Sequence, residues 1–120
     1  EAFQLRDDLL GVFGDPATTG KPAGDDLVEG KRTVLVALTL ANADDASANA
    51  LDAALGSELD ESEVARLRTT IEGAGARDEV ERMIESLCTR AVTALDAADF
   101  DPEASAVLRE LAAAVSQRVV

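Results

Sequence analysis

The chain has 120 residues, a formal net charge of −13, no histidine and one cysteine. That length allows a single core, and the charge argues against nucleic acid or an anionic membrane surface as a general partner, because long-range repulsion opposes the encounter. The lack of His removes Ser-His and Cys-His nucleophile pairs and the common zinc sites from this chain, while the lone Cys88 supports neither a disulfide framework nor a cysteine-based metal site and reads as a small buried hydrophobe in a reducing cytoplasm.

Apolar residues make up 47% of the chain but only three residues, all Phe, are aromatic, so Leu, Val and Ala must do the packing, and Leu and Ala favour helix. Residues 1–13 are expected to be helical, with Phe3, Leu5, Leu9, Leu10, Val12 and Phe13 around most of the circumference, as in a helix sunk in a core. Gly14-Asp15-Pro16 stops it, and a long polar loop continues through Gly20, Pro22 and Gly24. A second helix is expected from Asp26, with Glu29 at capping-box spacing, through the apolar run TVLVALTLANA to Asp44-Asp45. That run is too short to span a bilayer, and no stable membrane insertion is expected.

Three more helices are expected near 46–55, 61–72 and 77–98. In the longest, Val80, Ile84, Leu87, Ala91 and Leu95 form a core-facing stripe, with Arg77, Glu81, Glu85 and Arg90 mostly away from it. Asp101-Pro102 supplies the cap and first-turn proline of the last helix, whose buried side would be Val107, Leu108, Leu111 and Val115. About six helices and no convincing strand make the chain all-α.

Chemistry is concentrated near the start. On the first helix Gln4, Asp7, Asp8 and Gly11 stand three and four residues apart, so an amide and two carboxylates share a face. A carboxylate pair in apolar surroundings wants a cation, whereas the plainer reading is a solvated helix end. The two lysines of the chain, Lys21 and Lys31, follow closely. Such groups can simply pair, or they can make a diphosphate site in which hard oxygen ligands hold magnesium and ammonium groups neutralise the remaining charge. A nucleotide-binding phosphate loop does not fit: five residues separate Gly14 from Gly20-Lys21, and Pro22 stands where a hydroxyl is required.

The run FQLRDDLLGVFGDPATTGKPAGDDLVEGKRT, residues 3–33, resembles the second aspartate-rich region of the trans-isoprenyl diphosphate synthases, the polyprenyl synthetase family that includes farnesyl and geranylgeranyl diphosphate synthases. Phe-Gln precedes the Asp pair, and Phe-Gly-Asp-Pro, Thr-Gly-Lys, Asp-Leu and Gly-Lys follow in order. The resemblance implies that residues 1–120 are the C-terminal portion of a polyprenyl synthetase domain, half of an all-α isoprenoid-synthase bundle, begun inside the helix that carries the motif, with residues 34–120 supplying its remaining helices. The first aspartate-rich motif and the upstream diphosphate-binding Arg and Lys are not in this sequence.

The resemblance also implies a transferase. The full protein would be a magnesium-dependent (Mg2+) prenyltransferase that condenses isopentenyl diphosphate with an allylic diphosphate into a longer trans-polyprenyl diphosphate, as a cytoplasmic homodimer. This portion alone would be inactive. Asp7 and Asp8 would be the metal-binding and catalytic carboxylates, with Asp7 the direct ligand; Gln4 would line the same face; Lys21 would contact the allylic diphosphate and Lys31 support it.

One position departs from the family pattern. The motif usually reads Asp-Asp-x-x-Asp, and the last place here is Gly11. Asp15 is expected to structure the turn before Pro16, and Arg118 reads as a solvated helix-end cation. On this reading Gly11→Asp would have little effect on the metal and would relieve a helix penalty of about 1 kcal/mol. The competing function is a non-catalytic helical subunit, a degenerate partner of an active synthase.

Overall fold

A 12-residue helix, α1 (Ala2–Phe13), lies at the centre of the protein, packed against four other helices. The computed structural model describes residues 1–20, 24–97 and 101–117. Leu9 and Val12 of α1 are fully buried, Leu5 nearly so, and Gly14 ends the helix with its N–H on the Leu10 carbonyl. Phe3, expected in the core, is instead 60% exposed.

The loop that follows contains a short helix missed in the sequence, α2 (Pro16–Thr19). Asp15 is its N-cap, accepting from the Ala17 amide at 3.0 Å, and Pro16 occupies the first turn, where its missing N–H costs nothing.

The helix expected to run from Asp26 to Asp44 is two helices. α3 (Asp25–Glu29) stops at Gly30, which takes the left-handed conformation at φ 74°, and α4 (Val34–Asn42) starts afresh with Thr33 accepting from the Val36 amide. Asp26 and Glu29 do not form a capping box. The N-cap of α3 is Gly24, without a side-chain cap, and Asp26 lies inside the helix, buried. Gly30 has a second reason to be glycine: a Cβ there would come within 2.9 Å of the Gly56 Cα.

The other helices, α5 (Asp45–Ala54), α6 (Glu61–Gly73), α7 (Ala76–Ala97) and α8 (Pro102–Ser116), lie within a residue or two of their expected bounds. Asp44, Asp60 and Asp101 each accept from an amide of the first turn of α5, α6 and α8 respectively, which is why those boundaries are sharp. Eight helices and no strand are present among the described residues.

Leu9, Leu27, Leu35, Leu51, Ile71, Val80 and Ile84 are the fully buried centre of the core, with Cys88 at its edge. Several expectations about faces fail. Ala91 of the α7 stripe is exposed. Val107, Leu108 and Leu111 of α8 are 44–52% exposed and only Val115 of that stripe is buried, because α8 lies against α7 and α1 along one edge. Glu81 was placed off the core stripe but is 4% exposed, since Arg6 of α1 reaches it with two hydrogen bonds of 2.6 and 2.9 Å. The same guanidinium donates to the carbonyls of Val115 at 2.9 Å and Ser116 at 3.2 Å. One side chain thus ties α1 to α7 and to the end of α8. No helix among the described residues is long and apolar enough to cross a membrane.

Candidate functional site

Residues 4, 7 and 8 of α1 point in two directions. Asp7 is exposed. Asp8, one residue and about 100° further round the helix, is 6% exposed and accepts from Gln4 Nε2 at 3.0 Å. Burial pushes the Asp8 carboxyl above its ordinary range; the Gln4 hydrogen bond opposes that shift, while the charges of Asp26 and Asp7 reinforce it.

The carboxylate facing Asp8 comes from α3. Asp26 is 6% exposed, and α3 is pinned by Leu27, which is fully buried. The Asp26 side chain lies over Gly11: a Cβ built at position 11 would overlap its Cγ and Oδ2 and come within 2.8 Å of Oδ1. The position where the sequence lacks a third aspartate is therefore filled from a neighbouring helix, and the low cost expected of Gly11→Asp does not hold while Asp26 stays in place, because its carboxyl group occupies the space of a Cβ.

Lys31 stands over this carboxylate, its Nζ 3.3 Å from Asp26 Oδ1 and 3.3 Å from Glu29 Oε2, with half of its side chain exposed. Its ammonium is held above the ordinary lysine range, first by the hydrogen bond to Asp26 and then by that to Glu29. The break at Gly30 makes this possible. In a continuous helix, residues five apart point about 140° away from each other. Lys21 lies outside the described residues, as does Arg118.

Oxygen atoms of Asp25, Asp26 and Glu29 lie within 4.8 Å of one another. Neither Asp7 nor Asp8 belongs to that group, although the charge of Asp26 acts on Asp8 and Lys31 pairs with Asp26 and Glu29. An open groove of about 680 Å³ runs along Gln4, Leu5 and Asp8 between α1, α4 and α7, with Val34, Met83 and Leu87 among its apolar walls. Sequence reasoning missed Asp26. The sequence shows only a second adjacent Asp pair within twenty residues of the first; that it faces Gly11 comes from the docking of α3.

The sequence profile of the family described as polyprenyl synthetase matches residues 1–72. The chain is 34% identical over 105 residues to a geranylgeranyl diphosphate synthase of Mycobacterium tuberculosis, covering 85% of this chain and 29% of that protein. It is 32% identical over 117 residues to heptaprenyl diphosphate synthase component 2 of Geobacillus stearothermophilus, covering 98% of this chain and 35% of that one. The fold superposes with a TM-score of 0.91 and 48% identity on a geranylgeranyl pyrophosphate synthase of Corynebacterium glutamicum, crystallised with isoprenyl diphosphate and magnesium; the match covers 98% of this chain and 34% of that one. The chain thus spans about a third or less of the length of the curated relatives it matches.

Proposed function

The chain belongs to the polyprenyl synthetase family, and from that premise we propose that it forms part of a magnesium-dependent prenyltransferase joining isopentenyl diphosphate to an allylic diphosphate. The observation that carries this reading is the lodging of Asp26 and Lys31 of the α3 region against the Gln4–Asp8 face of α1, inside the segment the family profile matches.

The chemistry of the carboxylate donors here suits magnesium, while the oxygens that lie within 4.8 Å of one another among the described residues are those of Asp25, Asp26 and Glu29. Asp7, Asp8 and Asp26 offer hard carboxylate oxygens, and Asp8 is buried among like charges that oppose its ionisation, a cost that a divalent cation would offset. When bound, the ion would neutralise the charge that develops on the departing diphosphate.

The protein's residues hold and orient. Asp7, exposed, is the direct ligand in this reading, and Gln4 fixes the Asp8 carboxylate beside it. Lys31 adds positive charge next to the diphosphate, and Lys21 contacts the allylic diphosphate. As the allylic carbon–oxygen bond breaks, its electron pair leaves with the diphosphate. The double bond of isopentenyl diphosphate then forms the new carbon–carbon bond, and a proton is lost from the adduct. Catalysis is by positioning and electrostatic stabilisation, without a protein nucleophile.

The protein carrying this chain would act as a cytoplasmic homodimer, and residues 1–120 alone, with one aspartate-rich motif, would be inert. The match to a protein named as one component of a synthase supports a second reading, in which the chain works only together with another component. Steady-state turnover of the purified full protein with both diphosphates and magnesium decides. Asp7→Asn should lower turnover by roughly 10²-fold or more, as when a key electrostatic stabiliser is removed. Unchanged turnover in Asp7→Asn overturns the ligand assignment, and absence of activity without an added partner favours the second reading.

A further inference from the structure

Gly11 sits in the middle of a helix, where almost any other residue would be more favourable. Its backbone does not require glycine, since it is not among the positive-φ glycines of the described residues. What requires it is space. A Cβ at position 11 would occupy the volume of the Asp26 carboxyl group. Gly73, the other glycine inside a described helix, has nothing within 4 Å of its Cβ position and shows the contrast.

The backbone at Asp26 is held, so the conflict falls on its carboxyl group. Leu27 next to it is fully buried, the Asp26 carbonyl accepts from the Lys31 amide at 3.0 Å, and its carboxylate is paired with Lys31 Nζ at 3.3 Å. We propose that Gly11 is a positioning residue: its missing side chain is the seat in which the Asp26 carboxylate rests, so that α3 delivers beside Asp8 the third carboxylate that α1 itself lacks. Lys31 is held in place through the same seat. Any side chain at position 11, aspartate included, unseats Asp26 and loosens the segment from residue 24 to residue 31. The role assigned to the third carboxylate rests on the magnesium reading above, whereas the seat itself does not.

The test uses the full protein that carries this chain, with manganese alone as the metal probe and amide hydrogen exchange as a readout independent of any metal. Gly11→Ala should speed exchange across residues 24–31 by about tenfold or more and weaken manganese binding, followed by electron paramagnetic resonance, by about 10- to 100-fold. Gly73→Ala should change neither. Adding Asp26→Gly to Gly11→Ala should restore the slow exchange without restoring manganese affinity, because the space is relieved while the carboxylate is gone. Combining Gly11→Asp with Asp26→Gly should recover more manganese affinity than either change alone.

Exchange and manganese affinity unchanged in Gly11→Ala would overturn the proposal. So would failure of Asp26→Gly to restore slow exchange, or to restore folding should Gly11→Ala alone not fold. If the parent protein binds no manganese in an Asp7-dependent way, the magnesium reading falls, and the exchange measurements still decide on the seat.

Discussion

Asp8 is ionised at a cost: it is buried, and the Asp26 and Asp7 carboxylates oppose its charge, with the Gln4 amide as partial compensation. Asn at this position keeps an oxygen for Gln4 and removes the charge. Asp8→Asn should therefore raise the melting temperature of the metal-free protein at neutral pH, yet reduce the additional stabilisation that magnesium gives, since that stabilisation grows with the logarithm of the affinity for the folded state. Thermal melts with and without magnesium check both signs, and a lower melting temperature in both would mean that the Gln4 contact outweighs the charge. At this scale the sequence was legible where neighbours on one helix make the site: the spacing of Gln4, Asp7 and Asp8 is enough. It was not legible for Asp26, because its place depends on how α3 docks and on a gap at position 11, and a glycine read as a lost ligand gives no hint of what fills the gap. The pairing of Lys31 was equally hidden, because it needs the chain to break at Gly30.

Helix ends were the legible part of the elements. Asp44, Asp60 and Asp101 each cap a helix where the sequence places a boundary, because a side-chain acceptor for free amides is a local signal. The split between α3 and α4 was not, since one glycine in a strongly helical run costs only about 1 kcal/mol and does not by itself announce a stop. The cap of α5 carries a pH dependence. Hydrogen bonds from the Ser47 backbone lead the lowering of the Asp44 carboxyl below its usual 3.8. A carboxylate lowered in the folded state contributes stability that is present above 3.8 and lost as the pH falls through the folded value. Asp44→Asn, which caps without titrating, should flatten this acid limb, and circular dichroism across an acid titration reads the difference. Arg6 links three helices. Arg6→Ala removes the guanidinium from buried Glu81 and from two carbonyls at the end of α8, so it should cost about 3–5 kcal/mol in urea denaturation.

The whole molecule is a plate, 51 × 30 × 17 Å, with a radius of gyration of 16.4 Å, against about 14 Å for a compact domain of this length. Phe3, Val107, Leu108 and Leu111 are 44–60% exposed on it. Apolar surface of that kind drives association, while the net charge of −13 opposes it. The 120-residue chain should therefore self-associate in sedimentation more strongly as salt is added, because screening weakens the repulsion and leaves the apolar attraction. A salt-independent monomer that binds no apolar dye would contradict this. The latch made by Arg6 has a further consequence, in time rather than in energy. It joins residues 109 and 110 positions apart, and closing so long a loop is entropically costly until nearer helix pairs have formed. The latch should therefore be absent from the folding transition state. In stopped-flow measurements Arg6→Ala should refold at close to the parent rate, and nearly all of its lost stability should emerge as faster unfolding. Arg6 governs how long the two ends of the chain stay together, rather than how quickly they meet.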